Sequence, residues 1–290
     1  MSPRVLAVVL NWCAEEDTAA CLRSLAASDF AGLEVLLVDN ASPDGSGERL
    51  HQAFPALPYL QTGANLGYTG GNNRGIERAL QQGYDYVLVL NNDTVVEPGC
   101  VSRLVETAER NGAACAVGAK ILVHDAPERV WFGGGRISRS RAVATHRLQG
   151  GLDPDPEGGP TEEVTFLTGC CMLIPAAVLR RVGGFEEDFF MYIEDVDLSL
   201  RIAAAGYRLL YEPRARVLHR VSLQDAGPSP FQIFLRDRNR RRLARRRYGW
   251  ADRLRFALVF YPGRVVRMLQ YLARRDGARA GAIWRALIER

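Results

Sequence analysis

Acids and amides cluster in this chain at points where a turn alone would not need so many of them. In "LVLNNDTVVEP" (residues 88–98) an aliphatic run stops on Asn91, Asn92 and Asp93. A single Asn or Asp bonding to its own backbone makes a turn, so three in a row ask for a second reason. Open α/β sheets bind ligands at the carboxyl ends of their strands. A carboxylate delivered there suits a hard divalent cation shared with substrate phosphates. A plain helix cap ahead of Pro98 is the structural alternative.

"FMYIEDVDLSLRI" (residues 190–202) sets Glu194, Asp195 and Asp197 within four positions at the start of a helix. The helix dipole favours acids at that end, which accounts for at least two of them. The apolar residues just ahead put carboxylates against a low-dielectric wall, and that raises a carboxyl pKa toward the range of a general base. Asp197 and Arg201 stand four apart and are expected to pair along the helix. Asp39 closes the apolar run of "VDNASPDGSG" (residues 38–47), where an Asx turn or a helix cap explains it equally well. Gly67, Gly70 and Gly71 in "GANLGYTGGNNRGI" (residues 63–76) allow close backbone approach ahead of a helix N-terminus that attracts phosphate. That stretch is neither a dinucleotide fingerprint nor a P-loop. His219 ends "ARVLHR", and a lone His is more often structural than a ligand.

The elements around these residues set the class. "RVLAVVLNW" reads as a strand, and Ala19, Leu22, Leu25 and Ala26 lie at helical spacing. "LEVLLVDN" is a second strand, "PYLQTG" a weaker third, and a helix runs from the glycine stretch to Gly83. "YDYVLVLNND" is the fourth strand, Pro98 to Gly112 a helix, and "AACAVGAKILV" the fifth strand. Such alternation predicts an α/β fold with a mostly parallel sheet and helices on both faces. Residues 124–163, rich in Gly, Pro and charge, predict a hairpin or mobile loop over the site with no core of its own. After "EVTFLTGCCMLI" a helix starts at Pro175 and a second carries the acid cluster. "YRLLYEP" and "ARVLHR" then form two short strands.

Charge is distributed unevenly. Residues 236–290 hold 17 arginines against four acids, a balance of +13, and the +4 of the whole chain leaves −9 for residues 1–235. A basic tail on an acidic body suggests an anionic partner for the tail. Six cysteines show neither C-x-x-C spacing nor a disulfide framework and read as small hydrophobes in a reducing cytosol. The apolar start runs into Glu15, Glu16 and Asp17 without a cleavage site, so it reads as a strand and not as a signal peptide. No apolar stretch is long enough for a transmembrane helix, so the expected location is cytoplasmic, with any membrane contact peripheral, on the inner face.

Taken in order, "VVLNW", "VDNASPDGS", "NLGYTGGNNRGI", "VLVLNNDT", "FLTGCCMLI", "GGFEEDFFMYIEDVDLSLRI" and "VLH" resemble the family-two glycosyltransferases of GT-A fold. The likeness is greatest to their rhamnosyltransferase-like members and covers about residues 4–220. It implies a GT-A domain over residues 1–230, with a nucleotide-binding half to about 123 and an acceptor half after it, then an Arg-rich helical extension over 231–290. By resemblance, Asp39 accepts the N3–H of uracil or thymine, which favours a UDP- or dTDP-sugar donor. Asn65, Gly67, Gly70, Gly71, Asn72, Asn73 and Asn92 fall where the family lines its nucleotide and diphosphate pocket.

Asp93 matches the last acid of the family's D-x-D motif and, with His219, would hold Mg²⁺ or Mn²⁺. Asn91 replaces the first acid, so the site has one negative charge fewer and weaker metal binding is expected. Asp195 is the implied base, Glu194 positions the acceptor, and Thr168, Gly169 and Cys170 form the acceptor-side wall. The implied reaction is inverting transfer, with L-rhamnose the first choice of sugar, to a glycan or lipid-linked acceptor in cell-surface polysaccharide synthesis. A decayed sugar-nucleotide-binding module is the competing class, whereas a nicotinamide oxidoreductase lacks its glycine fingerprint. For the tail, a membrane-surface helix broken near Pro262 and a packing or oligomer-forming extension both stay open. No nucleic-acid module accompanies its charge, and no nucleic acid is expected as a partner.

Overall fold

Short aliphatic runs, each closed by a polar residue, build the strands that position the site. The computed structural model describes residues 2–221 and 227–289. The first half alternates as β1 (Val5–Asn11), α1 (Glu15–Ala26), β2 (Leu33–Asp39), α2 (Ser46–Ala53), β3 (Tyr59–Gln61), α3 (Gly67–Gln81) and β4 (Tyr86–Leu90). These four strands are parallel, in the order β4-β1-β2-β3. In β1, β2 and β4 the core-facing residues are sealed from solvent on both faces of the sheet, as parallel strands covered by helices must be, while the edge strand β3 is only partly buried. Helix α3 lies flush on β1 because Gly71 and Gly75 face it. A Cβ at these positions would stand 2.5 Å from Leu10 and 2.4 Å from Val8.

The second half adds β5 (Thr94–Val96), α4 (Cys100–Arg110), β6 (Cys115–Val123), β7 (Ala126–Phe132), β8 (Gly135–Ser138), β9 (Val143–His146), β10 (Glu162–Glu163) and β11 (Cys171–Pro175). It continues with α5 (Ala176–Val182), α6 (Glu194–Ala204) and β12 (Arg208–His219). The full sheet runs β10-β12-β6-β11-β4-β1-β2-β3. The expected mostly parallel sheet is thus present, with β11 inserted antiparallel between β4 and β6. Residues 124–163 form the expected hairpin, β8 against β9, and β7 folds back on β6. Val130, Phe132 and Ala142 join the main core, and a buried Lys120–Asp153 pair at 2.8 Å ties the segment down.

Two boundaries differ from the sequence reading. The final two short strands are one strand, β12, whose register on β6 shifts between Glu212 and Arg216. Pro213 offers no N–H to a ladder, so the irregularity sits there. The buried Glu212 carboxylate then holds the kink through Thr107, Thr161 and Arg214. Helices α7 (Pro230–Arg247), α8 (Trp250–Ala273) and α9 (Gly277–Ile288) complete the chain. Pro262 lies inside α8 and does not end it. The carbonyl its ring strips of a partner is that of Leu258, on an exposed face where water can take it.

The extension is packed, not loose. Leu243, Ala244, Tyr248, Phe256 and Phe260 belong to the main hydrophobic core. A capping box, Ser229 with Gln232, starts α7 immediately before Pro230. Arg247 reaches Asp197 of α6 at 2.6 Å, and Arg201 pairs with the same fully buried carboxylate at 2.7 Å. The i, i+4 pair expected from sequence is therefore present, with a second arginine from the extension.

Candidate active site

A cleft of about 1210 Å³ opens along the carboxyl ends of β1, β2 and β4 and is closed on its far side by α6, α7 and α8. Sheet register builds its first pole. β4 ends at Leu90, and the chain turns through Asn91 to Asp93 into β5, which pairs antiparallel with the end of β12 so that Thr94 faces His219. Arg220 N donates to the Asp93 carbonyl at 2.9 Å and locks the turn. As a result Asp93 Oδ1 lies 3.0 Å from His219 Nε2. The contact lacks hydrogen-bond geometry, and Asp93 Oδ1 and His219 Nδ1 are buried without a hydrogen-bond partner among the described residues. The Trp131 ring packs edge-on against His219 and keeps it oriented.

An orphaned carboxylate oxygen and an imidazole nitrogen fit a divalent cation. Ligands at right angles around an ion with bonds of ~2.1 Å stand ~3 Å apart, as these two atoms do. No set of three His, Cys, Asp or Glu side chains converges among the described residues, so this pair alone would be an incomplete shell, of the kind that substrate phosphates finish. Asn91 is held by its backbone, its N–H donating to Cys170 O at 3.0 Å and its carbonyl accepting from Thr94 Oγ1 at 2.6 Å. Asn92 Nδ2 donates to Thr18 Oγ1 at 2.8 Å.

That Thr18 hydroxyl donates in turn to Asn11 Oδ1, and Asn11 Nδ2 donates to Asp39 Oδ1 at 2.9 Å. A buried polar chain therefore joins the ends of β4, β1 and β2. Asp39 is fully buried and also accepts from Ser42 Oγ at 2.6 Å, Ser42 N at 3.1 Å and Gln61 Nε2 at 3.3 Å. Gly47 is required beside it, since a Cβ there would meet the carboxylate at 2.2 Å. Asp39 does not line the cleft, whereas its neighbour Asn40 does, bonded to Asn65 Oδ1 and Gly67 O.

The glycine stretch divides the same way. Asn65, Gly67 and Asn92 line the cleft; Gly70, Gly71, Asn72 and Asn73 do not. Gly71 packs on β1, Asn72 donates to Tyr68 O, and Asn73 bonds Phe185 through both its amide atoms. Gly67 has φ +70°, and a Cβ there would lie 2.5 Å from Phe190, so the glycine admits the acid-bearing loop against α3.

That loop builds the second pole. Phe190, Tyr192 and Ile193 all have positive φ, of 63°, 69° and 73°, a strained run for side-chain-bearing residues. Asn239 of α7, fully buried, donates its one amide to the carbonyls of Phe189, Met191 and Tyr192. Arg238, Arg242 and Arg246 add contacts to residues 188 and 189. Helix α6 begins directly after the strained run and carries Glu194 and Asp195 into the cleft. Asp195 accepts from Val196 N at 2.8 Å and Gly169 N at 3.3 Å. Tyr68 OH donates to Gly169 O at 2.8 Å, so Thr168, Gly169 and Cys170 form a fixed wall beside the acid.

Burial pushes the Asp195 carboxyl up to about 6. Burial first, and the adjacent Asp195 charge second, hold Glu194 well above the usual carboxylate range. Its Oε2 has no hydrogen-bond partner among the described residues. The sequence reading missed Asn40, Tyr68 and Asn239. Asn40 was legible beside Asp39, whereas nothing local marks Asn239 within "RDRNRRR".

Comparison with known proteins bears on the family and the fold. The family model described as glycosyl transferase family 2 matches residues 6–183. The N-acetylglucosaminyl-diphospho-decaprenol L-rhamnosyltransferase of Mycobacterium tuberculosis is 34% identical over 219 residues, 68% of this chain and 70% of that protein. Two solved structures share the GT-A architecture at low identity. GalNAc-T7 with UDP, GalNAc and Mn²⁺ has a TM-score of 0.67 at 15% identity, over 84% of this chain and about half (48%) of that one. The Pyrobaculum calidifontis mannosyltransferase PcManGT with GDP-Man and Mn²⁺ has a TM-score of 0.60 at 16% identity, over 99% and 87%. With a family model spanning most of the GT-A domain and a relative one third identical, the chain belongs to glycosyl transferase family 2.

Proposed function

We propose that this family 2 enzyme transfers a hexose, L-rhamnose being the first choice, from a dTDP- or UDP-sugar to a hydroxyl of a glycan or lipid-linked acceptor, with inversion. One observation carries the reading: a single cleft holds the Asp93–His219 pair on the sheet edge and, on the facing wall, a buried carboxylate whose pKa of about 6 suits a base near neutral pH. The relative's printed acceptor, a sugar diphospho-decaprenol, supports a lipid-linked acceptor in polysaccharide synthesis.

Asp195, oriented by Gly169 N–H, takes the acceptor hydroxyl proton as that oxygen bonds to the anomeric carbon. The bond from that carbon to the donor diphosphate breaks, its electron pair leaves with the nucleoside diphosphate, and one displacement inverts the centre. Glu194, whose carboxyl burial holds well above the usual carboxylate range, positions the acceptor by hydrogen bonding. Asp93 and His219 would hold a divalent cation, which would supply charge neutralisation for the leaving diphosphate. Asn40, Asn65, Gly67 and Asn92 border the nucleotide. Asp39 reads the base only by exchanging Gln61 Nε2, its longest contact, for the base N3–H; otherwise it acts by fixing β2 and Asn11.

The extension has a second proposed role, peripheral binding to an anionic membrane surface. Leu254, Leu258, Val265, Leu269 and Leu272 form an exposed stripe along α8, flanked by exposed arginines at 253, 255, 274 and 275. None of the helices among the described residues is long and apolar enough to cross a membrane.

The deciding experiment incubates the full chain with dTDP-L-rhamnose or UDP-sugars, Mg²⁺ or Mn²⁺, and a prenyl-diphosphate-linked sugar, and reads product mass and anomeric configuration by NMR. Product of inverted configuration is expected. Donor binding with neither transfer nor hydrolysis would leave the binding-module reading in its place.

A further inference from the structure

Beyond the acid pair the cleft runs on between α7 and α8, where its wall changes chemistry. Arg236, Arg240, Arg264 and Arg267 line it there. One carboxylate answers them: buried Asp237 Oδ1 lies 3.2 Å from Arg240 Nη1 and 3.4 Å from Arg264 Nη1. Asp237 Oδ2 and Arg264 Nε are buried with no hydrogen-bond partner among the described residues. Among the described residues Arg236 has no hydrogen bond or ion pair and stacks over the Tyr192 ring at 5.5 Å. Arg267 has no hydrogen bond or ion pair among the described residues. Burial lowers Arg240 to about 10, which leaves it charged at neutral pH. Arg240 and Arg264 are partly buried and Arg236 and Arg267 are exposed at the rim, so four guanidinium groups against one carboxylate give this wall a positive excess that attracts an anion.

We propose that Arg236, Arg240, Arg264 and Arg267 form a subsite for the diphosphate of a lipid-linked acceptor, opposite the cation pair. The proposal rests on the transferase reading and deepens it. Among the described residues Arg236 and Arg267 have no carboxylate partner, and their planar forks match the paired oxygens of a diphosphate diester, which carries about two charges. Arg236 stacks on Tyr192, three residues before Asp195, so an anion bound here stands on the acceptor side of the base. The donor diphosphate has its own place at the sheet edge, beside Asp93 and His219. An uncharged sugar acceptor would give these arginines nothing to bind. Beside and beyond Arg264 and Arg267 the same helix exposes Val265, Leu269 and Leu272, an apolar path for a chain attached to the diphosphate.

The test is calorimetric titration of the full chain in EDTA with farnesyl diphosphate, and separately with UDP and dTDP in Mn²⁺. The variants are Arg236→Gln/Arg267→Gln and, as a charge-keeping control on folding, Arg236→Lys/Arg267→Lys. The glutamine pair is expected to weaken farnesyl diphosphate roughly tenfold or more and nucleotide less than about twofold, with farnesol binding far more weakly than its diphosphate. Equal farnesyl diphosphate affinity in wild type and the glutamine pair overturns the subsite. Weakening of UDP or dTDP to the same extent assigns the arginines to the donor and overturns it too. A wild type that binds nucleotide but no farnesyl diphosphate removes the subsite alone. A wild type that binds no nucleotide strikes the transferase reading instead, whatever the arginines do.

Discussion

Asn239 Nδ2 lies 2.8 Å from the Tyr192 carbonyl oxygen, so a residue of the C-terminal extension grips the strained backbone that launches the acid pair. One amide serving three carbonyls holds three left-handed residues in place, and the two elements are 47 positions apart in sequence. Replacement by leucine strips the three carbonyls of their shared amide donor and lets the loop relax. Asn239→Leu is expected to lower kcat about a hundredfold through misplacement of Asp195, with donor KM within about twofold of wild type. Steady-state kinetics on protein quantified by nucleotide binding separates this from simple loss of folded enzyme.

The proposed base predicts its own pH profile. Because burial raises Asp195 to about 6, kcat/KM is expected to fall about tenfold per pH unit below that value and to level above it. Asp195→Asn should remove roughly a thousandfold or more of turnover while nucleotide affinity stays unchanged. Near-wild-type turnover in Asp195→Asn would assign the base elsewhere.

Glu194 makes a stability prediction of definite sign. Its folded pKa is raised above the ordinary 4.5, so the folded state holds a proton that the unfolded chain has released. Stability from this group is full below about 4.5 and is lost as pH rises toward the folded value. Glu194→Gln is therefore expected to melt higher than wild type at pH 8 and to converge with it near pH 4. A Tm difference independent of pH would contradict the assignment.

Removal of either partner of the cation pair should raise the Mn²⁺ needed for transfer. Asp93→Asn is expected to be the more severe, since it deletes the charge in a site where Asn91 already supplies none. His219→Ala should weaken Mn²⁺ by about one order of magnitude. Direct titration of Mn²⁺ by electron paramagnetic resonance in the presence of UDP gives the comparison without relying on turnover.

Membrane attachment is read by sedimentation with vesicles. Binding to vesicles containing about a third anionic lipid, lost at high salt and reduced in Leu258→Gln/Leu269→Gln, is the expected outcome. Equal absence of binding to anionic and neutral vesicles would leave the α8 stripe to self-association, visible as concentration-dependent mass in ultracentrifugation.

Much of the fold was legible because its signals are local. The aliphatic runs of β1, β2, β4 and β6 and the polar residues closing them fix a parallel sheet edge, and the order of motifs names the architecture. What escaped depends on distance. Gly71 sits in a glycine stretch that reads as a phosphate loop, yet it serves the packing of α3 on Leu10. Asp39 ends its strand as expected, but which way its carboxylate is spent is set by Asn11 and Gln61 from neighbouring strands. Asn239 is invisible among arginines because its role exists only once α7 lies across residues 189–192.

The pairing of β5 with β12 sets an order of assembly. Asp93 is made early and His219 comes at the end of the last sheet strand, so the two cation-facing atoms meet only when Thr94 and His219 come into register. A growing chain emerging from the ribosome thus carries a complete parallel half, with its polar chain from Asp39 to Asn92, well before it owns a cation pair. The clamp on the acid loop waits longer still, for α7. On the proposed reading, the nucleotide-side architecture is complete in sequence before the acid loop has its clamp, and α7 is what finishes the site.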